Sequence, residues 1–117
     1  MIKDNHIAIS GGITQALEAA KSFAGHLVKI EIEVDTLEQF KEALSAGADC
    51  VLLDNFSAER LKEAVQINRG RAALEASGGV KLDTVRAIAE SGVDYISSSQ
   101  ITMSASTFDI GLDIEVR

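Results

Sequence analysis

Short apolar runs that end in polar residues recur along this chain, separated each time by a segment of helix length. The stretches "AGADCVLLDN" and "SGVDYISSSQ", beginning at Ala46 and Ser91, share a small residue, Gly, a small apolar residue and Asp ahead of such a run. Their offset is two units of roughly 22 residues, the rhythm of successive strand–loop–helix–loop units. Right-handed crossovers make all such strands parallel, so every C-terminal strand end lies on one rim, where ligands bind in folds of this kind.

The local patterns fill in the units. "MIKDN" reads as the end of a strand running into a loop, and "ISGG" as a turn. Ile13, Ala16, Leu17, Ala20 and Ala24 share a helix face, with Gly25 as its stop. Leu27–Val34 alternates and is rich in β-branched residues, so a strand is expected there. Thr36 and Gln39 have the spacing of a capping box for a helix that buries Leu37, Phe40 and Leu44 and ends at Gly47. Val51–Leu53 is wholly apolar, as in a strand covered on both faces. Ser57 caps a third helix through Leu61, Ala64, Val65 and Ile67. Ala72–Ala76 is the next strand, Val85, Ile88 and Ala89 mark a fourth helix, and Tyr95-Ile96 begins another strand. The tail "FDIGLDIEV" alternates as a strand or an extended covering segment would. The fold class that follows is α/β: parallel βα repeats forming part of a TIM-like α/β barrel, standing alone as an open half-barrel or a doubly wound sheet.

Composition narrows the partners. The net charge is −7 and no long basic run occurs, which argues against nucleic acid and anionic membrane. No apolar run approaches the roughly 20 residues that span a bilayer, and "MIKDNH" lacks the apolar stretch of a signal peptide. The single Cys50 has no partner for an internal disulfide, in keeping with a reducing, cytoplasmic setting. Small phosphate ligands stay open, because backbone N–H groups bind them without basic side chains.

The expected strand ends collect Lys3, Asp4, Asn5 and His6, then Glu33, Asp54 and Asn55, then Glu75 and Ser77, then Ser97, Ser98 and Ser99, whereas the opposite ends carry few polar residues. Glu33 and Asp54 close consecutive apolar runs. A carboxylate there is costly unless a cation, metal or donor meets it. As hard oxygen ligands both suit Mg²⁺; the simpler alternative is an ion pair with Lys3 or Lys29. Glu31 shares the face of Glu33 and competes with it. Ser77-Gly78-Gly79 ahead of a helix is a phosphate-cradle candidate, with Ser98 and Ser99 as its second half; alone it is equally a tight turn. His6 is a phosphate donor or a loop hydrogen-bonder. His26 lies on the wrong face, Cys50 reads as core packing, and Met103 and Phe108 as packing residues.

"MIKDNH", "IEIEVD", "GADCVLLDNFS", "EASGGV" and "GVDYIS…ITMSASTFDIGLDIE" stand in the order and spacing of one family. The chain resembles the C-terminal part of quinolinate phosphoribosyltransferase (nicotinate-nucleotide pyrophosphorylase, carboxylating). The resemblance implies a Mg²⁺-dependent pentosyltransferase of NAD biosynthesis. It joins quinolinate to phosphoribosyl pyrophosphate (PRPP), giving nicotinate mononucleotide, CO2 and pyrophosphate. It implies Lys3 near both substrates, Asn5 and His6 in a phosphate-facing motif, and Glu33 and Asp54 at the ribose hydroxyls and metal. Ser77 and Gly78 would form one phosphate loop, Ser98 and Ser99 the other. Ser99 departs from the expected Gly, Met103 from His and Ser106 from Pro. Residues 1–117 would be the C-terminal part of the barrel domain, without the N-terminal domain and first barrel strands, and inactive alone. Open edges would favour a homo-oligomer, a dimer or higher. Two other readings are a different phosphate-binding barrel enzyme, related to thiamine-phosphate or indole-glycerol-phosphate synthases, and a non-catalytic half-barrel serving only in assembly.

Overall fold

The structure is a computed structural model that describes residues 1–108, 110–112 and 114. Four parallel strands form one sheet in the order β1-β2-β3-β4. These are β1 (Glu31–Val34), β2 (Cys50–Asp54), β3 (Ala73–Ser77) and β4 (Tyr95–Ile96). Helices α1 (Asp4–Ser10) and α2 (Ile13–Phe23) precede β1; α3 (Leu37–Ser45), α4 (Ala58–Asn68) and α5 (Val85–Ala89) join the strands; α6 (Gln100–Met103) follows β4. Each strand neighbours the next in sequence. With crossovers of one hand, that order puts the connecting helices on a single face. The sheet is therefore a barrel segment, and the doubly wound alternative is not realised.

Burial follows from this winding. Ile32, Val34, Val51, Leu53, Leu74 and Ala76 point under the helices and are 0–2% exposed. They meet Leu17, Phe40, Ala43, Leu61 and Ala64 from α2, α3 and α4. The alternate residues Glu31, Glu33, Cys50, Asp54, Ala73, Glu75 and Ser77 form the concave face and are half-buried. The register pairs Glu33 with Leu52 and Asp54 with Ser77, so these polar side chains climb toward one rim.

Several ends behave as their chemistry dictates. The Thr36 hydroxyl accepts the Gln39 N–H at 3.1 Å while Gln39 Oε1 accepts the Thr36 N–H at 3.2 Å, closing the capping box. The Ser57 hydroxyl accepts the Arg60 N–H at 3.3 Å at the start of α4.

Other expectations need correction. Ile2 does lie in a strand position, bridging Ile32 in parallel, but the segment after it is α1 and not a loop. Asp4 favours the helix N-terminus, Ile7 packs on the core, and Gly11 at φ 87° ends it. The first full strand starts at Glu31 and not Leu27: the Val28 N–H bonds Gly25 O at 2.9 Å, and this turn leaves Leu27 87% and Val28 60% exposed. The described residues of the tail cover nothing. Phe108, Ile110, Leu112 and Ile114 are 74–89% exposed, and the described residues after α6 form neither helix nor strand. Alternation alone makes no strand where no neighbouring strand supplies a ladder. Asp109, Asp113 and Glu115 to Arg117, including the Val116 of that alternation, lie outside the described residues. Met103, 81% exposed, is likewise no packing residue. No described helix is long and apolar enough to cross a membrane.

Truncation at the helix-facing layer is expected to be costly. Leu53→Ala should lower unfolding free energy by about 2–5 kcal/mol, whereas Leu82→Ala, at a residue 94% exposed, should change it by at most about 0.5 kcal/mol. Urea denaturation of both variants checks this.

Candidate functional site at the C-terminal rim

A cavity of about 740 Å³ opens at the C-terminal rim between β2, β3 and β4, lined among others by Asp54, Ser77, Gly78, Lys81, Ser98 and Ser99. Five of the expected site residues therefore meet in one place. Lys81, which sequence reasoning passed over, joins them; its signal was a Lys following directly on Gly-Gly-Val.

Gly78 is the tightest point. Its φ is 81°, and a Cβ there would lie 2.6 Å from Asn55 Cγ and 2.7 Å from Asp54 Oδ1. Asn55 itself sits at φ 55°, donates its Nδ2 hydrogen to Asp54 Oδ2 at 2.6 Å, and its N–H bonds Ser77 O at 2.9 Å. The β2 end and the Ser77-Gly78-Gly79 turn thus interlock, which only a residue without a side chain permits. Gly79 follows at φ 61°. The N–H groups of Gly78 and Gly79 have no hydrogen-bond partner among the described residues. Consecutive free N–H groups of this kind make an anion-binding concavity. The cradle is the loop itself and not a helix N-terminus, because α5 starts only at Val85 and spans 5 residues.

The second loop is braced to the first. Ser98 Oγ donates to Val80 O at 2.9 Å and accepts the Gln100 N–H at 3.3 Å. A hydroxyl has one hydrogen to give, so Ser98 has only its backbone N–H left for a ligand. The Ser99 carbonyl receives the N–H groups of Thr102 and Met103, at 3.1 and 2.8 Å.

Glu33 does not line this cavity; it lies on β1 in register with Leu52, one pleat below Asp54. Lys3 Nζ is 3.6 Å from Glu33 Oε2, with the two side chains 55% and 22% exposed, so the simple ion-pair alternative for Glu33 is realised. His6 Nδ1 accepts the Lys3 N–H at 3.0 Å, which leaves Nε2 as the outward ring nitrogen. Asn5 and His6 are exposed in the first turn of α1 and do not line the cavity. Among the described residues no three His, Cys, Asp or Glu side chains converge on a metal position. Two separate carboxylates at a rim nonetheless fit Mg²⁺, which keeps waters and phosphate oxygens as its other ligands.

Glu31 does not compete with Glu33. It lies deeper on the concave face, where Cys50 Sγ donates to its Oε1 at 3.5 Å. Burial, and then the nearby Glu75, raise its pKa above the usual carboxylate value. Cys50 is not in the helix-facing core but half-buried on this inner face; burial and the Glu31 carboxylate push its thiol up to about 12. His26 is exposed in the turn before β1.

The expectation that the opposite rim carries few polar groups is not met. Lys29, Asp49, Asn68, Arg71 and Asp94 surround a second concavity there. Their bonds are structural. Asn68 makes two hydrogen bonds to the Ala72 backbone, at 2.7 and 3.1 Å, and Asp94 accepts the Leu74 N–H at 2.8 Å. Arg71 donates to Ile67 O at 2.8 Å, and Lys29 faces Asp49 at 3.8 Å. The two rims differ in that one spends its donors on the chain and the other keeps them.

Two outcomes follow. Cys50 should react with a thiol-selective disulfide reagent far more slowly than a free cysteine at pH about 8, since little thiolate forms there. Glu31 binds its proton more tightly in the folded than in the unfolded chain. Its stabilising contribution is therefore full below the ordinary carboxylate value and lost as pH rises through the raised one. Glu31→Gln should accordingly raise thermal stability at neutral pH, with the gain shrinking toward pH about 4.

Residues 1–113 match the family described as quinolinate phosphoribosyl transferase, C-terminal domain. The human nicotinate-nucleotide pyrophosphorylase (carboxylating) is 37% identical over 117 residues, covering 97% of this chain and 39% of its own length. The enzyme of that name from Mycobacterium leprae is 41% identical over 117 residues, covering 97% and 41%. The crystal structure of the nicotinate-nucleotide pyrophosphorylase of Ehrlichia chaffeensis superimposes with a TM-score of 0.84 at 48% identity, covering 97% of this chain and 41% of that one. That of Francisella tularensis gives 0.81 at 46%, covering 86% and 36%. The chain thus spans about two fifths of the length of these relatives. It belongs to the family of quinolinate phosphoribosyltransferase C-terminal domains.

Proposed function

We propose that this chain supplies the sugar-phosphate half of a quinolinate phosphoribosyltransferase site. The observation that carries the reading is the C-terminal rim, where the N–H groups of Gly78 and Gly79, without a partner among the described residues, face the Ser98–Ser99 loop across a cavity that also holds Asp54. The reaction joins the quinolinate ring nitrogen to C1 of the ribose of PRPP, and pyrophosphate leaves. The pyridinium formed then loses its C2 carboxylate as CO2, and C2 takes up a proton.

The residues present suit that chemistry. The Gly78, Gly79, Ser98 and Ser99 N–H groups, with Ser77, hold a phosphate, and Lys81 supplies a nearby positive charge. Asp54 and Glu33 lie where ribose hydroxyls would be held and where positive charge grows on the sugar as the leaving group departs. Negative groups there favour that transition state. Bound Mg²⁺, held by Glu33 and Asp54, would neutralise the pyrophosphate. Lys3 pairs with Glu33 at 3.6 Å, and Asn5 and His6 extend the anion-facing edge from the first turn of α1. Met103 stands where the family pattern has His, so no imidazole acts there.

The family likeness also supports a cytoplasmic, homo-oligomeric enzyme, a dimer or higher, with no nucleic-acid or membrane partner. Tyr95, Leu82 and Ile101 at the β4 edge are 60–94% exposed and suit coverage by further protein. The unpaired rim loops set this reading above a purely structural half-barrel.

Calorimetric titration with Mg²⁺–PRPP tests the reading. The chain should bind it, and Glu33→Ala and Asp54→Ala should each weaken binding by about tenfold, about 1.4 kcal/mol. If both variants bind as well as the parent, the carboxylate assignment is wrong.

A further inference from the structure

The concave face holds a chain of polar side chains that reaches from β1 past β4 and that the proposed chemistry does not use. Cys50 Sγ donates to Glu31 Oε1, Glu75 lies close enough to Glu31 to raise its pKa, and Ser97 Oγ donates to Glu75 Oε1. Glu75 is half-buried, forms no ion pair among the described residues, and does not line the rim cavity. Ser97 does line it. A carboxylate kept in such a place without a cation costs desolvation energy that packing does not return.

The position of Ser97 explains what Glu75 is for. Strand β4 is 2 residues long and pairs with β3 only through Glu75↔Tyr95 and Ala76↔Ile96. The last backbone bond of that edge is from the Ser97 N–H to Ala76 O, at 3.0 Å. Beyond it, the side-chain hydrogen bonds that tie the loop of Ser98 and Ser99 back to β3 and the loop after it are, among the described residues, two: Ser97 onto Glu75 and Ser98 onto Val80 O. The two phosphate loops thus keep their separation through these two bonds.

We propose that Glu75 is a positioning residue for the phosphate cradle: through Ser97 it fixes where the Ser98 and Ser99 N–H groups stand opposite Gly78 and Gly79. This rests on the phosphate reading of the rim. Glu75 touches no ligand and acts only through the Ser97 hydroxyl. A neutral acceptor of the same shape should therefore serve as well as the carboxylate, which separates positioning from charge.

Two measurements decide it. Amide exchange by NMR should rise about tenfold or more at Ser98, Ser99 and Gln100 in Glu75→Ala, with α4 amides unchanged. In Glu75→Gln, whose amide oxygen still accepts from Ser97, exchange should stay within about twofold of the parent. Affinity for inorganic pyrophosphate with Mg²⁺ should follow the same order, with Glu75→Ala weakened about fivefold to tenfold. Should Glu75→Ala also loosen α4, Ser97→Ala reads the same contact by exchange at residues 98–100. Unchanged exchange at those amides, or an equal loss in Glu75→Gln, overturns the proposal. A parent chain that binds no pyrophosphate would instead remove the phosphate reading, while the exchange comparison still decides whether Glu75 holds the loop.

Discussion

Burial of one stripe of side chains governs everything else in this molecule. Ile32, Val34, Val51, Leu53, Leu74 and Ala76 have to lie under the helices, and all of them do. Because side chains alternate along a strand, that single requirement turns Glu31, Glu33, Cys50, Asp54, Glu75 and Ser77 to the other face. A slip of one residue would put carboxylates against Phe40 and Leu61. The register that builds the core therefore also builds the polar concave face, and neither can be changed without the other.

From that face the chemistry is graded by depth. Low on it, burial raises the pKa of Glu31 above the usual carboxylate value, and burial and Glu31 together push the Cys50 thiol up. One pleat higher, Glu33 remains within reach of Lys3 and solvent. At the rim, Asp54 is clamped by Asn55 against a glycine turn whose N–H groups have no partner among the described residues. A preorganised anion site needs this order: rigid support below, unspent donors above.

The repeat was legible because it depends on periodicity and on caps. Helix α4 begins at its Ser57 cap, the Thr36–Gln39 box closes, and β4 is the Tyr95-Ile96 pair that the pattern marks. Asp54, Ser77, Gly78, Ser98 and Ser99 stood out at the ends of apolar runs, and the strands bring these five to one rim, with Glu33 lower on β1. What stayed hidden depends on partners distant in the chain. Leu27 and Val28 have strand-like composition but are drawn off by the Gly25 turn. The tail alternates in sequence, but its described residues join no ladder. Helix α1 is short and was masked by its many polar residues. The brace from Ser97 to Glu75 joins residues 22 apart, and the role of Ser98 as a strut is set by the Val80 carbonyl; neither has a local signature.

The central claim is that the C-terminal rim of this half-barrel is a ready-made phosphate cradle, while the equally polar opposite rim is not. A ¹H–¹⁵N shift map of the chain under saturating Mg²⁺–PRPP tests it most directly. The account predicts shifts concentrated at Gly78, Gly79, Lys81, Ser98 and Ser99, with Lys29, Arg71 and Asp94 unmoved. Shifts confined to the Lys29–Asp94 rim, or none at either rim, would contradict it.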